Sequence, residues 1–495
     1  MKRILALVMC FMLVLGTAVF LTGCGEESSE GGTLVWYVCA DKPEGYDEIL
    51  AKANAEYIEP AIGMTLDMQF IDTASFQQKL KLKMASNEAY DLTFTGYLND
   101  YQTAVSMGAL ADITKYVEDV KMNEAVPQFY LDSAMVGGKI YGVPNAQIIG
   151  NPPAIYITEE DVNKSGFDVK GLEEVATNAK TYEDVENYMN LLTENFAKLK
   201  AAVPEKYTTN PVRYLAMDIP YESVLGNLYI RRDGTDPKIY ADYELPEFKL
   251  QVEKAYEWYT KGYIRSDIAA KSNAVSGAEE ARQIAVRQDQ WGPYSEKGLE
   301  KTYNGPVAVS LVTKPYVGRT KALATMISVG ANSKHPKKAV EFIKLINSNA
   351  DLYNLLIWGI EGVHYNLDEQ GRVVVTELGG TSKVSSLGAG GWKFGNQFNS
   401  YPSSTQEADV YELTEKLNNE ADKSPMLGFV PNTDLISNEL ANITNASAEF
   451  KARVLYGTDD PANWFDDYVN KMKESGVEEV KEELQKQYDE FLKTK

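Results

Sequence analysis

The region from residue 33 to residue 95 alternates strand-like and helix-like segments, and this order constrains the fold more than any other feature. Thr33 to Cys39 (TLVWYVC) is β-branched and aromatic, and Met64 to Phe70 alternates apolar and polar residues. Tyr46 to Tyr57 has helical spacing of its apolar residues, as does Phe76 to Met84, and Tyr90 to Thr95 is a third strand. This βαβαβ order predicts a parallel sheet with helices packed on it.

Aromatic and polar side chains follow the strands of this predicted sheet. Trp36, Tyr37 and Asp41 lie at or just after the end of the first strand, and Thr95 and Tyr97 lie at the end of the third. In open α/β sheets, ligands bind beyond the carboxyl ends of the strands. The sequence therefore predicts a binding site at this edge.

The N-terminus has the pattern of a targeting signal. Lys2 and Arg3 precede an apolar run from Ile4 to Phe20, which ends at Leu21 to Cys24 and is followed by the polar segment Gly25 to Gly32. The run is short for a membrane span, which needs about 20 apolar residues. We therefore predict a signal peptide that is removed from the mature chain.

The string Leu21-Thr22-Gly23-Cys24 resembles the bacterial lipobox, which consists of a Leu, two small residues and an obligatory Cys. The resemblance implies that Cys24 receives a diacylglyceryl group and becomes the first residue of the mature protein. Several acyl chains together anchor a protein stably to a membrane. The alternative is an ordinary signal peptide that happens to contain a Cys.

Cysteine usage and charge limit what the mature chain can be. Cys10 leaves with the signal and Cys24 is the predicted anchor, so that Cys39 remains alone and an intramolecular disulfide is excluded. The core must therefore stabilise the chain, and 44% hydrophobic residues in a chain of 495 suffice for two or three domains. The formal net charge is -22, and removal of Lys2 and Arg3 makes it about -24. Nucleic acid and anionic membrane surfaces are poor partners for such a chain.

Histidine is scarce, since His335 and His364 are the only two in the sequence. HExxH, CxxC and GxSxG motifs and a phosphate-cradling glycine loop are all absent. We therefore expect no metal site, no cofactor and no histidine-dependent catalysis. Catalysis by paired carboxylates stays open, because the chain has 71 Asp and Glu.

Two strings resemble family 1 extracellular solute-binding proteins, the maltose-binding type. Gly138 to Asn145 (GKIYGVPN) is similar to the segment where the chain of that family leaves the first lobe, and Ala154 to Thr158 looks like the strand that opens the second. His335 to Asn347 (HPKKAVEFIKLIN) resembles the helix that returns to the first lobe. Taken alone, the first string is also compatible with a Gly/Pro turn between two strands.

The remainder of the chain resembles a subfamily of lipoprotein receptors with an extra C-terminal region, often labelled DUF3502. The resemblance rests on Leu352 to Tyr365, on Trp392 to Asn399, on Ser424 to Phe429, which opens the region, and on Glu482 to Phe491, which closes it. Apolar residues three or four apart indicate an amphipathic docking helix at the end of the chain.

These resemblances imply an α/β fold, a class II periplasmic-binding-protein-like architecture of two α/β lobes joined by a hinge, with extra C-terminal helices. The implied boundaries are a signal peptide at 1–23, a tether at 24–32, lobe 1 at 33–145 with 318–360 returning to it, lobe 2 at 146–317 with 361–420 contributing, and the DUF3502-like region at 421–495.

A sugar presents an apolar face of C–H bonds and a rim of hydroxyls, so a receptor needs flat aromatics and a few placed polar groups. Four tryptophans (Trp36, Trp291, Trp358 and Trp392) lie in loops or at strand ends, and we expect at least two to face the cleft. The predicted ligand-binding residues are Trp36, Tyr37, Asp41, Tyr97, Asn145, Tyr156, Trp291, Tyr294, Glu361, Trp392 and Asn396.

The implied function is that of a receptor, not an enzyme. We expect a monomer, anchored by its lipid on the extracytoplasmic face of the cell membrane, which binds a carbohydrate between its lobes and delivers it to the permease subunits of an ABC importer. Two alternatives stay open. One is the same fold with a peptide or another metabolite as ligand, or with a signalling output; the other is a lipid-anchored glycoside hydrolase with two catalytic carboxylates.

Overall fold

A computed structural model describes residues 31–86, 88–209, 216–270 and 283–493. The predicted signal peptide and Cys24 lie outside these residues. No helix in the described part of the chain has both the length and the apolar character needed to span a membrane. The strands are β1 (Thr33–Cys39), β2 (Thr65–Ile71), β3 (Leu92–Gly96), β4 (Met135–Val136), β5 (Lys139–Ile140), β6 (Gly142–Pro144), β7 (Pro153–Thr158), β8 (Tyr207–Thr209), β9 (Tyr221–Leu225), β10 (Leu228–Arg231), β11 (Tyr240–Ala241), β12 (Ile284–Gln290), β13 (Val307–Leu311), β14 (Tyr316–Val317), β15 (Thr325–Val329), β16 (Tyr365–Leu367), β17 (Val373–Val375) and β18 (Asp422–Lys423).

The helices connect and cover these strands. A π-helical turn (Asn54–Ile58) joins the first two helices, and short 3₁₀ turns interrupt the loops, among them Gly391–Lys393 and Gln397–Asn399. The α-helices are α1 (Tyr46–Ala53), α2 (Glu59–Ile62), α3 (Thr73–Ala85), α4 (Tyr101–Ser106), α5 (Thr114–Asp119), α6 (Gln128–Ser133), α7 (Glu159–Ser165), α8 (Val169–Asn178), α9 (Tyr182–Ala202), α10 (Pro246–Thr260), α11 (Ser295–Tyr303), α12 (Arg319–Ala322), α13 (Pro336–Ser348), α14 (Ala350–Trp358), α15 (Glu377–Thr381), α16 (Val384–Ala389), α17 (Val410–Glu420), α18 (Ser437–Tyr456), α19 (Phe465–Glu474) and α20 (Val477–Leu492).

Lobe 1 is built on a five-stranded sheet with the strand order β2-β1-β3-β15-β6. The first three strands are parallel, whereas β15 runs antiparallel to both of its neighbours. Leu34 and Leu66 are buried beneath helices, as are Phe342 and Ile343 of α13. The apolar periodicity of the sequence thus becomes the two covered faces of the sheet.

Lobe 2 contains a four-stranded sheet in the order β13-β7-β12-β8. Ile155 and Ile157 of β7 pack with Tyr188 and Leu192 of α9, whereas Ala154 and Tyr156 point to the other face. This alternation is the two-residue period of a strand. Beside this sheet lies a three-stranded sheet in the order β11-β10-β9.

The C-terminal region shares a third core with the three-stranded sheet. Val224 and Ile230 of that sheet pack with Phe248 of α10 and with Tyr468 and Tyr488 of the last two helices. The C-terminal helices therefore cover apolar side chains that appear some two hundred residues earlier in the chain. This joint core extends the lobe 2 side of the molecule.

Three segments of chain connect the two sides. The first runs from β6 to β7, the second returns from β13 to β15, and the third leads from α17 into the C-terminal region. The second and third pair directly, because β14 is parallel to β18 with Tyr316 opposite Asp422 and Val317 opposite Lys423. We call these three segments the crossing segments.

Residues 361–420 pack differently from the prediction. The sequence predicts that they contribute to lobe 2, whereas Tyr365, Val384 and Phe394 are buried in the core of lobe 1. Side chains of α14 explain this placement: the hydroxyl of Tyr353 donates to the Gly391 carbonyl at 2.7 Å. The segment therefore widens lobe 1.

The two-lobed α/β architecture predicted from the sequence is confirmed. Its strand order places the carboxyl ends of β1 and β3 next to each other at one edge of the lobe 1 sheet. The crossing segments leave lobe 1 from β6, on the far side of β15 in the same sheet.

Candidate functional site

An exposed aromatic pair marks the edge of lobe 1. Tyr97 follows β3 and is 57% exposed, and its ring centroid lies 5.9 Å from that of Trp392, at an interplanar angle of 50°. Gly96 makes this possible, because a Cβ at that position would lie 2.1 Å from the carbonyl oxygen of Ala324. The Tyr97 amide then donates to the same carbonyl at 2.9 Å, which fixes the backbone beneath the ring.

Trp392 is held from beneath by polar groups of lobe 1. The Nδ2 of Asn145, a residue only 2% exposed, donates to the Trp392 carbonyl at 3.1 Å. The Nζ of Lys393 donates to the Cys39 carbonyl at 2.9 Å and lies 5.1 Å from the centroid of the Trp392 ring. The aromatic pair is therefore attached to the ends of β1, β3 and β6.

Lobe 2 contributes Trp291, which follows β12. Its amide donates to the carbonyl of Pro152 in the first crossing segment at 2.8 Å. The half-buried ring packs beside Tyr156 and Val307. Gly292 lies tightly against Ile148, because a Cβ there would approach the Ile148 Cδ1 to 2.6 Å. The Trp291 loop is thus positioned against the crossing segment.

Polar side chains connect the two walls along the crossing segments. The Nζ of Lys321 donates to Asn151 Oδ1 at 3.1 Å and reaches Gln290 Oε1 at 3.4 Å. Burial lowers the pKa of Lys321, since desolvation disfavours the charged form. Gln147 donates to the Thr325 hydroxyl at 2.6 Å. These amides and this ammonium supply hydrogen-bonding groups between the aromatic walls.

Tyr294 contacts the opposite lobe. It precedes α11 with a left-handed backbone (φ 64°), and its hydroxyl donates to the Asp409 carboxylate at 2.9 and 3.1 Å. This hydrogen bond raises the pKa of Tyr294. Lys297 pairs with Glu407 at 2.5 Å beside it. Because residues 407 and 409 follow the segment packed on lobe 1, these are contacts between the lobes.

Two predicted residues at the end of β1 lie in the core. Trp36 is 1% exposed and packs edge-on against Phe342 and Phe394, with ring centroids 5.6 and 5.8 Å away. Tyr37 is 7% exposed, and its hydroxyl donates to Glu88 Oε1 at 2.6 Å. Both faces of the sheet are covered, so residues within β1 point into packing and not beyond the strand end.

Structural roles also account for other predicted residues. Tyr156 is 1% exposed and donates to the Gln290 carbonyl at 3.1 Å. The side chain of Asn396 caps a 3₁₀ turn by accepting from the Phe398 amide at 3.0 Å. Asn favours such turn positions for this reason. The buried Tyr156 and the capping Asn396 therefore have structural partners.

Asp41 and Glu361 are exposed, as a contact residue requires. Asp41 follows β1 in the loop that leads to α1. Glu361 lies in the turn after α14 and forms a bridge with Tyr365, whose pKa is raised by burial and, to a smaller degree, by the Glu361 charge. Of the four tryptophans singled out, Trp291 and Trp392 are partly exposed, whereas Trp36 and Trp358 are buried.

Several polar residues of the site were not predicted. Lys393 neighbours Trp392, and Gln147 and Asn151 lie in the crossing segment, so that their positions beside predicted residues were the available signal. Lys321 gives no such signal, because it lies in a short helix between two strands. Within the described residues, no group of three or more His, Cys, Asp and Glu is arranged to hold a metal ion.

The strand order, the crossing segments and the aromatic residues between the lobes define the fold and site of a class II extracellular solute-binding protein. Residues 425–493 match the family model described as "Domain of unknown function (DUF3502)". The resemblance to family 1 extracellular solute-binding proteins that the sequence indicates is confirmed by these features and by the relatives described next.

A "Carbohydrate ABC transporter substrate-binding protein" of Streptococcus pneumoniae serotype 4 is 29% identical over 489 residues, which cover 96% of this chain and 94% of that protein. The crystal structure of an N-glycan transport solute binding protein (NgtS) from Streptococcus pneumoniae aligns with a TM-score of 0.74 and 28% identity, over 93% of this chain and 99% of that one. NgtS in complex with Man5GlcNAc aligns with a TM-score of 0.62 and 28% identity, over 94% and 99%. These relatives are substrate-binding proteins of ABC transporters and not enzymes, as the sequence predicts.

Proposed function

We propose that this chain is the lipid-anchored extracytoplasmic receptor of an ABC importer, that it binds an oligosaccharide between its lobes, and that it delivers this sugar to the transmembrane permease. The observation that carries the proposal is the exposed aromatic pair of Tyr97 and Trp392 beside Lys393. The similarity to NgtS, a structure of which contains Man5GlcNAc, points to an oligosaccharide of mannose and N-acetylglucosamine.

The aromatic pair suits the apolar face of a sugar ring. A Tyr that is 57% exposed leaves flat apolar surface in water, and covering it with C–H groups of a ligand is favourable by roughly 25 cal/mol per Å². The Lys393 ammonium and the amides of Gln147 and Asn151 provide donors and acceptors for hydroxyl groups. Such a combination of apolar walls with a few fixed polar groups is typical of small-molecule sites.

Closure of the lobes accounts for how binding is signalled to a permease. A ligand that contacts both lobes stabilises the closed form by its differential affinity for that form. The TM-score is 0.74 to NgtS without a named sugar and 0.62 to its Man5GlcNAc complex, at the same sequence identity. This difference supports a lobe orientation that changes between the two forms.

Calorimetric titration of the chain from Gly25 with Man5GlcNAc tests the sugar assignment. We expect saturable binding, and we expect the affinity to fall at least tenfold in Tyr97→Ala and in Trp392→Ala, because each change removes part of the platform. The matched control is Tyr182→Ala, which removes another exposed tyrosine, 37% exposed, from lobe 2. Equal affinity in all four proteins would contradict the proposed site, and no binding of neutral, amino or acidic oligosaccharides would contradict the ligand class.

Metabolic labelling of the full chain with an alkyne fatty acid in a bacterial host tests the anchor. We expect label and membrane association in the wild type and in Cys10→Ser, whose thiol leaves with the signal peptide. Cys24→Ser should lose both, because the acyl acceptor is gone. Labelling that survives in Cys24→Ser would show that the anchor is elsewhere.

A further inference from the structure

A cavity of about 500 Å³ lies away from the interlobe site, on the lobe 2 side of the crossing segments. Its walls come from four parts of the chain: Lys180 after α8, Arg231 to Asp233 after β10, Thr313 to Tyr316 in the second crossing segment, and Asp422 to Lys423 in the third. The volume is in the range of small-molecule sites.

The cavity is strongly basic. Five cationic side chains line it against two carboxylates, in a chain whose net charge is -22. Among the described residues, only Arg231 of these five forms an ion pair, at 2.8 Å with Asp233. The other cations are Lys180, Arg232, Lys314 and Lys423. Positive charge thus accumulates here without protein carboxylates to balance it.

Arg232 is fixed in place with donors to spare. Its guanidinium carbon lies 3.9 Å from the centroid of the Tyr316 ring, and its Nη1 donates to the carbonyl of Asp218. The Tyr316 hydroxyl in turn donates to Glu222 Oε2 at 2.8 Å, which holds the ring. No other acceptor for Arg232 occurs in the described parts of the chain. A planar guanidinium held in this way is suited to bidentate recognition of an oxyanion.

We propose that this cavity binds a small oxyanion, of the sulfate, phosphate or carboxylate type. The ligand neutralises Arg232, Lys180 and Lys314 together and links lobe 2, the second crossing segment and the start of the C-terminal region. Any ligand that binds only the folded chain stabilises it in a concentration-dependent way. The site is independent of the sugar assignment, and its test needs no sugar.

The test is thermal unfolding and calorimetric titration of the full mature chain with sulfate, phosphate and citrate, each compared with sodium chloride at equal ionic strength. We expect a saturable rise in Tm and a measurable heat with at least one of the three anions. Which anion binds most tightly identifies the oxyanion type.

Variants distinguish this site from general salt effects. Arg232→Gln removes the stacked guanidinium, and Lys314→Gln removes an exposed cation that has no ion pair among the described residues and should not impair folding. The matched control is Lys337→Gln, an equal change of charge at an exposed position of α13. We expect the affinity to fall at least fivefold in the first two and to stay unchanged in the control. Non-saturable stabilisation that is the same in all four proteins would overturn the proposal.

Discussion

Asp242 is a carboxylate buried in the third core without a cation beside it. It is 1% exposed, and its Oδ2 accepts from the Tyr468 hydroxyl at 2.6 Å and from Asn227 at 2.7 Å. Burial raises the pKa of Asp242 to about 6, although these hydrogen bonds oppose the shift. The side chain thus joins the three-stranded sheet to α19 and keeps a proton at mildly acidic pH.

The raised pKa predicts how pH acts on stability through Asp242. Between about pH 4 and pH 6 the folded state holds a proton that the unfolded state releases, so this group makes the chain less stable as pH rises through that window. A shift from 3.8 to about 6 corresponds to about 3 kcal/mol. Asp242→Asn removes the titration, and we expect the difference in unfolding free energy between wild type and variant to shift by that order from pH 4 to pH 7.

Urea unfolding at several pH values measures this difference. Other carboxylates titrate equally in both proteins, so that the comparison isolates Asp242. Asp489→Asn, a change on α20 outside the core, serves as the control and should leave the pH profile unchanged. A wild-type-to-Asp242→Asn difference that is constant with pH would contradict the assignment of the proton to Asp242.

At the scale of single residues, the sequence identified aromatic candidates but not their direction. Trp36 and Tyr97 both belong to the β1 and β3 region, yet Trp36 lies within its strand and is buried, whereas Tyr97 follows Gly96 and is exposed. The position of a residue relative to the last ladder hydrogen bond decides this outcome. Such a boundary cannot be located within one or two residues from an apolar run.

At the scale of elements, α17 locks the first crossing segment through one side chain. The Asn418 Oδ1 accepts from the amides of Ile149 and Gly150 at 3.0 and 2.9 Å. Its Nδ2 donates to the Gln147 carbonyl at 2.6 Å and to the Tyr130 hydroxyl at 3.2 Å. Asn418 is 1% exposed, so it replaces the partners that the extended backbone would otherwise find in water.

This arrangement predicts that Asn418→Ala destabilises the protein strongly. Two buried amides and one carbonyl lose their partners, and we expect a loss of about 3 kcal/mol. The neighbouring Asn419 is exposed, so that Asn419→Ala should change stability by less than about 0.5 kcal/mol. Thermal and urea unfolding of both variants provide the measurement. Similar stability of the two would show that the crossing segment does not depend on α17.

Element boundaries followed from apolar periodicity, but the attachment of one segment did not. The helix beginning at Pro336 and the strand at 284–290 appear where the sequence predicts them. Residues 361–420 were placed with lobe 2, because the order of elements does not reveal which surface an added segment covers. Tyr353 of α14, which binds the Gly391 carbonyl, decides the matter through a contact distant in sequence.

At the scale of the whole molecule, the Tyr294–Asp409 contact tethers the lobes in the absence of sugar. An exposed hydrogen bond of this kind contributes about 0.5–1.5 kcal/mol, enough to alter a population of orientations severalfold. We expect Tyr294→Phe to broaden the distribution of interlobe distances in the sugar-free protein.

Spin labels at Lys81→Cys on lobe 1 and Lys198→Cys on lobe 2 make that distribution measurable by pulsed electron resonance, since both positions are exposed and Cys39 is buried. Tyr182→Phe removes a hydroxyl whose partner, Glu186, lies on the same helix, and it should change nothing. Identical distributions for Tyr294→Phe and wild type would exclude a tethering role for the contact.

The overall architecture was predictable because βαβ order, crossover string and terminal region agree with one another. The joint core was not, because Val224 and Tyr488 lie far apart in the sequence and neither segment alone reports its partner. Contacts of this range depend on the three-dimensional path of the chain. Local patterns constrain that path only through the fold class.

The late position of β15 has a consequence for how the chain matures. Strand β3 ends at residue 96, yet its second hydrogen-bonding partner is formed by Thr325–Val329. During synthesis or export from the N-terminus, β3 therefore presents an unpaired edge until lobe 2 has been threaded past it. Unpaired edges promote aggregation, so a nascent chain halted before residue 325 is the form of this protein that most needs a chaperone.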